Sequence, residues 1–214
     1  MPVDTDLARA WVAELAAAVA SERDHLTSLD SAIGDADHGV TLHRGFTAVT
    51  GKLTAADPPP ATPGAVLMLV GRTLISTVGG ASGPLYGTAF REMGKTLGDA
   101  ADADDATFVA AVRAGLDGIR RLGAAAEGDK TIVDAYAPAL AALAEAVRAG
   151  HPLATAVKSA AHAADDGARA TVPLEARKGR ASYLGARSIG HQDPGATSTA
   201  LLFGALQRAV ERAA

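Results

Sequence analysis

Leu29 to Gly45 reads LDSAIGDADHGVTLHRG, with three carboxylates, Asp30, Asp35 and Asp37, inside eight residues and glycines at Gly34 and Gly39. Hydrophobic helical patterns flank the stretch on both sides. Asp and Gly are poor residues for a helix interior, so it predicts a loop between two helices. Three clustered carboxylates repel one another unless positive charge sits among them. An all-oxygen set suits a hard cation such as Mg²⁺ or Ca²⁺, not zinc or copper. An EF-hand starting at Asp35 would need Gly at its sixth position and Glu at its twelfth, but Val40 and Phe46 stand there. That reading fails. Mg²⁺ takes one or two protein carboxylates and completes its shell with water and phosphate oxygens. Two such ions sharing the three aspartates would leave room for a polyphosphate. A lone DxD also serves as a solvated turn with Asp as a helix cap. The third aspartate, the two glycines and the adjoining His38 favour the metal.

The chain around this stretch has 214 residues, of which 48% are hydrophobic, largely alanine, and only 4% aromatic. Small side chains on good helix formers predict closely packed helices. A chain of this length buries roughly 70% of its unfolded surface as one domain, so residues 1–214 are read as a single unit. The formal net charge of −4 argues against nucleic acid or an anionic membrane as a partner. With no cysteine, thiolate metal sites and disulfides are excluded. The start MPVDTDLARA lacks the marks of a signal peptide, and no apolar run reaches the ~20 residues of a membrane span. The expectation is a soluble, cytoplasmic protein.

Leu7, Trp11, Leu15 and Val19 recur every four residues, which predicts a helix from Thr5 to about Asp24, capped by Asp4 or Thr5. Further helices are expected over about 40–53, 64–77, 85–97, 105–122, 127–148, 152–171 and 193–212, the fifth capped by Asp105. The prolines of Ala55 to Pro63 make a stiff connector. Pro138 should kink or restart its helix, and Asp193-Pro194 is a favoured helix start. Eight helices and no strand result. The irregular stretch Val172 to Gln192 is long for a compact domain, which points to a functional loop.

Two other loops are chemically suggestive. GGASGP, Gly79 to Pro84, could cradle a phosphate at a helix start or simply let two helices cross closely. RKGR, Arg177 to Arg180, is either a solvated basic face or the source of a guanidinium over terminal phosphates. No Walker A, GxGxxG or kinase HRD and DFG signature is present. None of the six histidines forms a paired-ligand motif. His25, His43, His151 and His162 read as surface or capping residues, while His38 and His191 lie in the glycine-rich loops.

Taken together, GDADHG, GGASGP, GDKT, RKGRASYLG and GHQDPGATS resemble the nucleotide-binding L-subunit family of the phosphoenolpyruvate-dependent dihydroxyacetone kinases. The resemblance spans nearly the whole chain. It implies an all-α, antiparallel eight-helix barrel that binds ADP/ATP at one end. By the resemblance, Asp30, Asp35 and Asp37 hold two Mg ions. His38, Gly39, Val40 and Thr41 contact phosphates or metals, and Ala81 and Ser82 supply the glycine-loop contacts. Gly123 and Ile132 line the adenine pocket. Arg180 is the catalytic cation on a lid, opposite Asp193, Pro194 and Gly195. Thr41 and Leu42 depart from the family's usual Asn and Met. Thr offers a hydroxyl but not the donor-plus-acceptor pair of an amide.

The implied activity is transfer of the ATP γ-phosphoryl group to dihydroxyacetone held on a partner K subunit. A phosphohistidine M subunit of the phosphotransferase system would recharge the bound ADP, and a transcriptional regulator is a further partner in some bacteria. The chain's free-standing length favours this arrangement over an ATP-exchanging dihydroxyacetone kinase. A fatty-acid kinase type of nucleotide domain and a non-catalytic regulatory module are the alternatives.

Overall fold

A computed structural model describes residues 1–213. Helix α1 (Thr5–Ser21) starts at Asp4, whose side chain accepts from Leu7 N at 2.9 Å, and buries Leu7, Trp11, Leu15 and Val19. It ends three residues earlier than expected, and a helix absent from the sequence expectation follows: α2 (Arg23–Ile33). Leu26, Asp30 and Ile33 form its buried face at i, i+4 and i+7. The acidic loop is thereby reduced to Gly34–Asp37, and Asp30 sits in a helix. Asp's weak helix propensity is overridden because its carboxylate reaches the start of α3 (His38–Ala55).

Helix α4 (Pro63–Thr77) carries Pro63 at its first position and is capped by Thr62, which accepts from Ala65 N at 3.1 Å. Helix α5 (Ser82–Leu97) lies against it almost backbone to backbone. A Cβ added to Gly71 would stand 2.5 Å from the Gly87 carbonyl, and one on Gly94 2.7 Å from that of Gly64. Helix α6 (Asp105–Gly123) is capped by Asp104, not Asp105, through Thr107 N at 2.8 Å. Helix α7 (Val133–Arg148) begins six residues later than expected, because Glu127–Ile132 turns back on itself with Gly128 and Lys130 at positive φ. It runs through Pro138 without restarting. Helix α8 (Leu153–Ala170) follows, then two short 3₁₀ turns within Arg180–Ser188, broken by a kink at Gly185, inside the supposedly irregular loop, then α9 (Pro194–Ala213).

Nine α-helices therefore stand among the described residues where eight were expected. One small ladder was also not foreseen: β1 (Val3–Asp4) pairs antiparallel with β2 (Asp102–Ala103). Helix α1 packs on α3, each helix from α3 to α8 packs on the next, and α9 returns to α1. Trp11 helps close this circuit. Its indole Nε1 donates to Leu202 O on α9 at 3.0 Å, and its ring meets Phe90 at 5.8 Å and Phe108 at 6.1 Å. All the aromatics but Tyr183 are buried, and alanines and glycines set the helix spacing. No helix among the described residues is long and apolar enough to cross a membrane.

Candidate functional site

The α2–α3, α4–α5, α6–α7 and α8–α9 connections all contribute to one cleft of about 250 Å³. Every second connection of the circuit thus reaches the same end of the molecule.

At one side of the cleft, Asp30, Asp35 and Asp37 each present a carboxylate oxygen within 4.8 Å of the others'. Asp30 is buried and oriented: its Oδ2 accepts from Asp37 N at 2.8 Å and His38 N at 3.1 Å. A Cβ on Gly34 would collide with Asp30 Oδ1 at 2.0 Å, so only glycine lets the chain turn there. Burial, then the Asp35 and Asp30 carboxylates, push Asp37 above the usual carboxylate range. Arg180 offsets part of this charge, its Nε lying 3.0 Å from Asp35 Oδ2. Three clustered oxygens, one already fixed by backbone donors, fit a hard divalent cation.

Facing the carboxylates, Gly79, Gly80, Ala81 and Ser82 line the cleft at the start of α5, where free N–H groups and the helix dipole favour an anion. Ser82 Oγ is 3.1 Å from Nδ1 of His38, whose Nε2 is 2.9 Å from Ser198 Oγ. Both nitrogens of the imidazole are therefore engaged within the protein, and burial lowers its pKa to about 4, leaving a neutral ring. Ser198 Oγ continues to Tyr86 OH at 2.6 Å, and Tyr86 also meets Thr199 Oγ1 at 2.8 Å. A buried polar chain thus connects the acidic loop, the α5 start and α9.

The remaining wall is apolar: Ile33, Leu85, Ile119, Gly123, Ala125 and Ile132. Asp193, Pro194 and Gly195 close it from α9. Asp193 accepts from Ala196 N at 2.7 Å and is pushed up to about 7 by burial.

Most of the sequence-derived candidates meet here: the three aspartates, His38, Ala81, Ser82, Gly123, Ile132, Arg180, Asp193, Pro194 and Gly195. Gly39, Val40 and Thr41 do not line the cleft. Gly39 packs on the Arg23 carbonyl, Val40 is 48% exposed, and Thr41 is buried with its Oγ1 donating to His38 O. The His191 side chain is exposed. The sequence reading missed Ile33, Leu85, Ile119, Lys130, Thr131 and Lys178. Lys130 and Thr131 belong to the GDKT motif and Lys178 to RKGR, so a motif signal existed for those three. The apolar positions carried none, since each is one of many core-type residues.

The fold and site define an all-helical domain with a carboxylate cluster facing a glycine-rich helix start across one cleft. The DAK2 domain model matches residues 32–208. The chain is 42% identical over 207 residues to the PEP-dependent dihydroxyacetone kinase 1, ADP-binding subunit DhaL of Listeria innocua, covering 96% of this chain and 97% of that protein. It is 41% identical over 188 residues to the corresponding ADP-binding subunit DhaL of Escherichia coli, covering 88% and 89%. The crystal structure of the dihydroxyacetone kinase from C. freundii in complex with AMP-PNP and Mg²⁺ superposes with a TM-score of 0.73 at 28% identity, covering 97% of this chain and 34% of that one. The chain thus corresponds to about a third of that larger kinase. It belongs to the DAK2 domain family.

Proposed function

We propose that this chain is the ADP/ATP-binding subunit of a dihydroxyacetone kinase, a phosphotransferase with an alcohol group as acceptor. The observation that carries the reading is the carboxylate trio facing the α5 start, with an apolar wall completing the cleft. A purine nucleotide needs an apolar slot for its base, backbone donors for its phosphates and cations for its charge. Similarity to DhaL subunits named as ADP-binding, and to a kinase solved with AMP-PNP and Mg²⁺, supports the same ligand.

In this reading Asp30, Asp35 and Asp37 hold two Mg ions, which neutralise phosphate charge when bound. The α5 start orients the phosphates through Ala81 and Ser82, and His38 holds the Ser82 hydroxyl from behind. Gly39, Val40 and Thr41 form the first turn of α3, and act by keeping Asp37 and His38 in place. Gly123 and Ile132 flank the adenine. Arg180 leaves Asp35 to meet charge developing on the transferred group, and Asp193, Pro194 and Gly195 exclude water from the opposite side. The acceptor is dihydroxyacetone held on a K subunit, ADP is recharged in place by the phosphohistidine M subunit, and the assembly works in the cytoplasm. The helices α1 and α3–α9 form the antiparallel eight-helix barrel of a single domain, with α2 as an extra element at its site end.

The test is to load the protein with Mg²⁺ and ATP, add a K subunit and dihydroxyacetone, and measure dihydroxyacetone phosphate. One equivalent of sugar phosphate per nucleotide-loaded chain is expected. Tight nucleotide binding with no transfer would reject the kinase role, and no Mg²⁺-dependent nucleotide binding would reject the site itself. ADP retained through extensive dialysis, read by mass analysis, is the expected mark of recharging in place; free exchange would instead favour an ATP-exchanging enzyme.

A further inference from the structure

Lys130 lines the cleft outside the carboxylate cluster, and its buried ammonium is held by backbone carbonyls. Its Nζ meets four backbone carbonyls: Thr171 at 2.9 Å, Leu174 at 3.1 Å, Ser188 at 2.8 Å and His191. The side chain is fully buried and its backbone is held at φ +62°, a strained conformation for an L-residue. All four carbonyls belong to the connection between α8 and α9. Two lie near its beginning and two near its end. The ammonium therefore ties both feet of this connection to the α6–α7 turn. The neighbouring residue adds to the tie, since Arg177 N donates to Asp129 O at 3.1 Å. Within the connection, Ala176 N donates to Ser188 Oγ and Gly190 N to Val172 O, again joining foot to foot.

The span between the feet is different. From Lys178 to Arg187 no residue is fully buried, Tyr183 is 88% exposed, and Gly179 and Gly185 carry positive φ at 63° and 54°. This arch holds Arg180. Lys130 is also followed directly by Thr131 and Ile132, which line the cleft as well.

We propose that Lys130 is a positioning residue that fixes both feet of the α8–α9 connection, so that the arch Lys178–Arg187 alone moves when the cleft fills. The inference rests on the nucleotide-site reading for its functional half only; the anchoring can be tested without ligand. A compact ammonium suits four carbonyls converging on one point, whereas a planar guanidinium does not. Replacing it by Met takes this shared donor from all four carbonyls, of which only that of Thr171 keeps another, the Leu174 N–H at 3.1 Å, and so frees the feet.

The test is hydrogen exchange, by mass spectrometry with residue-level fragmentation, on the whole chain without ligand and with Mg²⁺ and ADP. In the ligand-free native protein the amides of Ala176, Arg177 and Gly190 should exchange at least 10-fold more slowly than those of residues 179–187. Ligand should slow the arch alone. Uniform exchange across 172–192 would overturn the anchoring, and this arm needs no variant. In Lys130→Met and Lys130→Arg the feet should exchange as fast as the arch while amides in α4 and α5 stay protected. The ADP dissociation constant should rise at least 10-fold. Feet still protected in both variants, or an unchanged dissociation constant, would also overturn the proposal. Protected feet in a native protein that binds no Mg²⁺ and ADP would instead reject the nucleotide reading and leave the anchoring intact.

Discussion

The Asp30 carboxylate, in the last turn of α2, accepts the backbone N–H of His38 at 3.1 Å and so caps the next helix from outside it. The same oxygen takes Asp37 N at 2.8 Å, while Asp37's own side chain makes no capping bond. One residue thus performs two tasks: it shapes the turn that presents Asp35 and Asp37, and it contributes to their cluster.

Those tasks separate under substitution. Asp30→Asn keeps an acceptor oxygen but removes the charge, so nucleotide affinity in the presence of Mg²⁺ should fall roughly 10–100-fold with stability nearly unchanged. Asp30→Ala should lose the same affinity and, in addition, about 1–2 kcal/mol of stability, because two N–H groups lose their partner. Calorimetric titration and urea unfolding measure the two quantities independently.

Arg180 pairs with Asp35 across a solvent-exposed gap, so the contact stabilises the ligand-free fold little. Arg180→Met should leave the midpoint of thermal unfolding within about 1–2 °C of the native value. Sugar phosphate formation with the K subunit should slow by roughly 10³-fold or more, the scale at which such a cation acts in phosphoryl transfer. A tenfold or smaller loss would remove Arg180 from the catalytic role.

Asp193 and His38 give the fold opposite responses to pH. The Asp193 pKa rises from 3.8 to about 7 on folding, so its contribution to stability is fully present below 3.8 and is lost as pH rises toward 7. The His38 pKa falls from 6.5 to about 4, so its contribution is complete above 6.5 and is lost as pH falls toward 4. Between these limits the two slopes oppose each other. Asp193→Asn removes the first and leaves the second. Relative to the native protein, the variant should gain on the order of 3–4 kcal/mol between pH 4 and pH 7.5, at 1.36 kcal/mol per pKa unit. Urea unfolding of both proteins across that range checks the sign as well as the size.

The α4–α5 contact depends on missing side chains. In Gly71→Ala the new Cβ would lie 2.5 Å from the Gly87 carbonyl, which is helix backbone and cannot yield without separating the helices. A loss of about 2–3 kcal/mol is expected. Gly51 on the exposed side of α3 has nothing within 4 Å, and Gly51→Ala should gain about 0.5–1 kcal/mol. Chemical denaturation of the pair distinguishes a packing requirement from a general glycine effect.

Much of the fold was legible from the chain. The bounds of α3 to α6, α8 and α9 fall within about three residues of the expectation, because proline, glycine and capping residues mark them locally. The misses have a common cause. Helix α2 and the late start of α7 depend on long-range bonds: Asp30 to the start of α3, and Lys130 to the α8–α9 connection. Propensity alone assigns such residues to loops.

What the sequence by itself determined is the helical class, the acidic and glycine-rich motifs, and their membership of one family, since composition, periodicity and motif identity are properties of residues taken in order. The tertiary structure alone decided that alternate connections share one cleft, that the His38 ring turns inward to two hydroxyls, and that the Lys130 ammonium meets four backbone carbonyls of the α8–α9 connection. Those outcomes depend on which carbonyls and hydroxyls meet a given group once water is excluded, and residues 40 to 160 positions apart in the chain meet only in the folded packing.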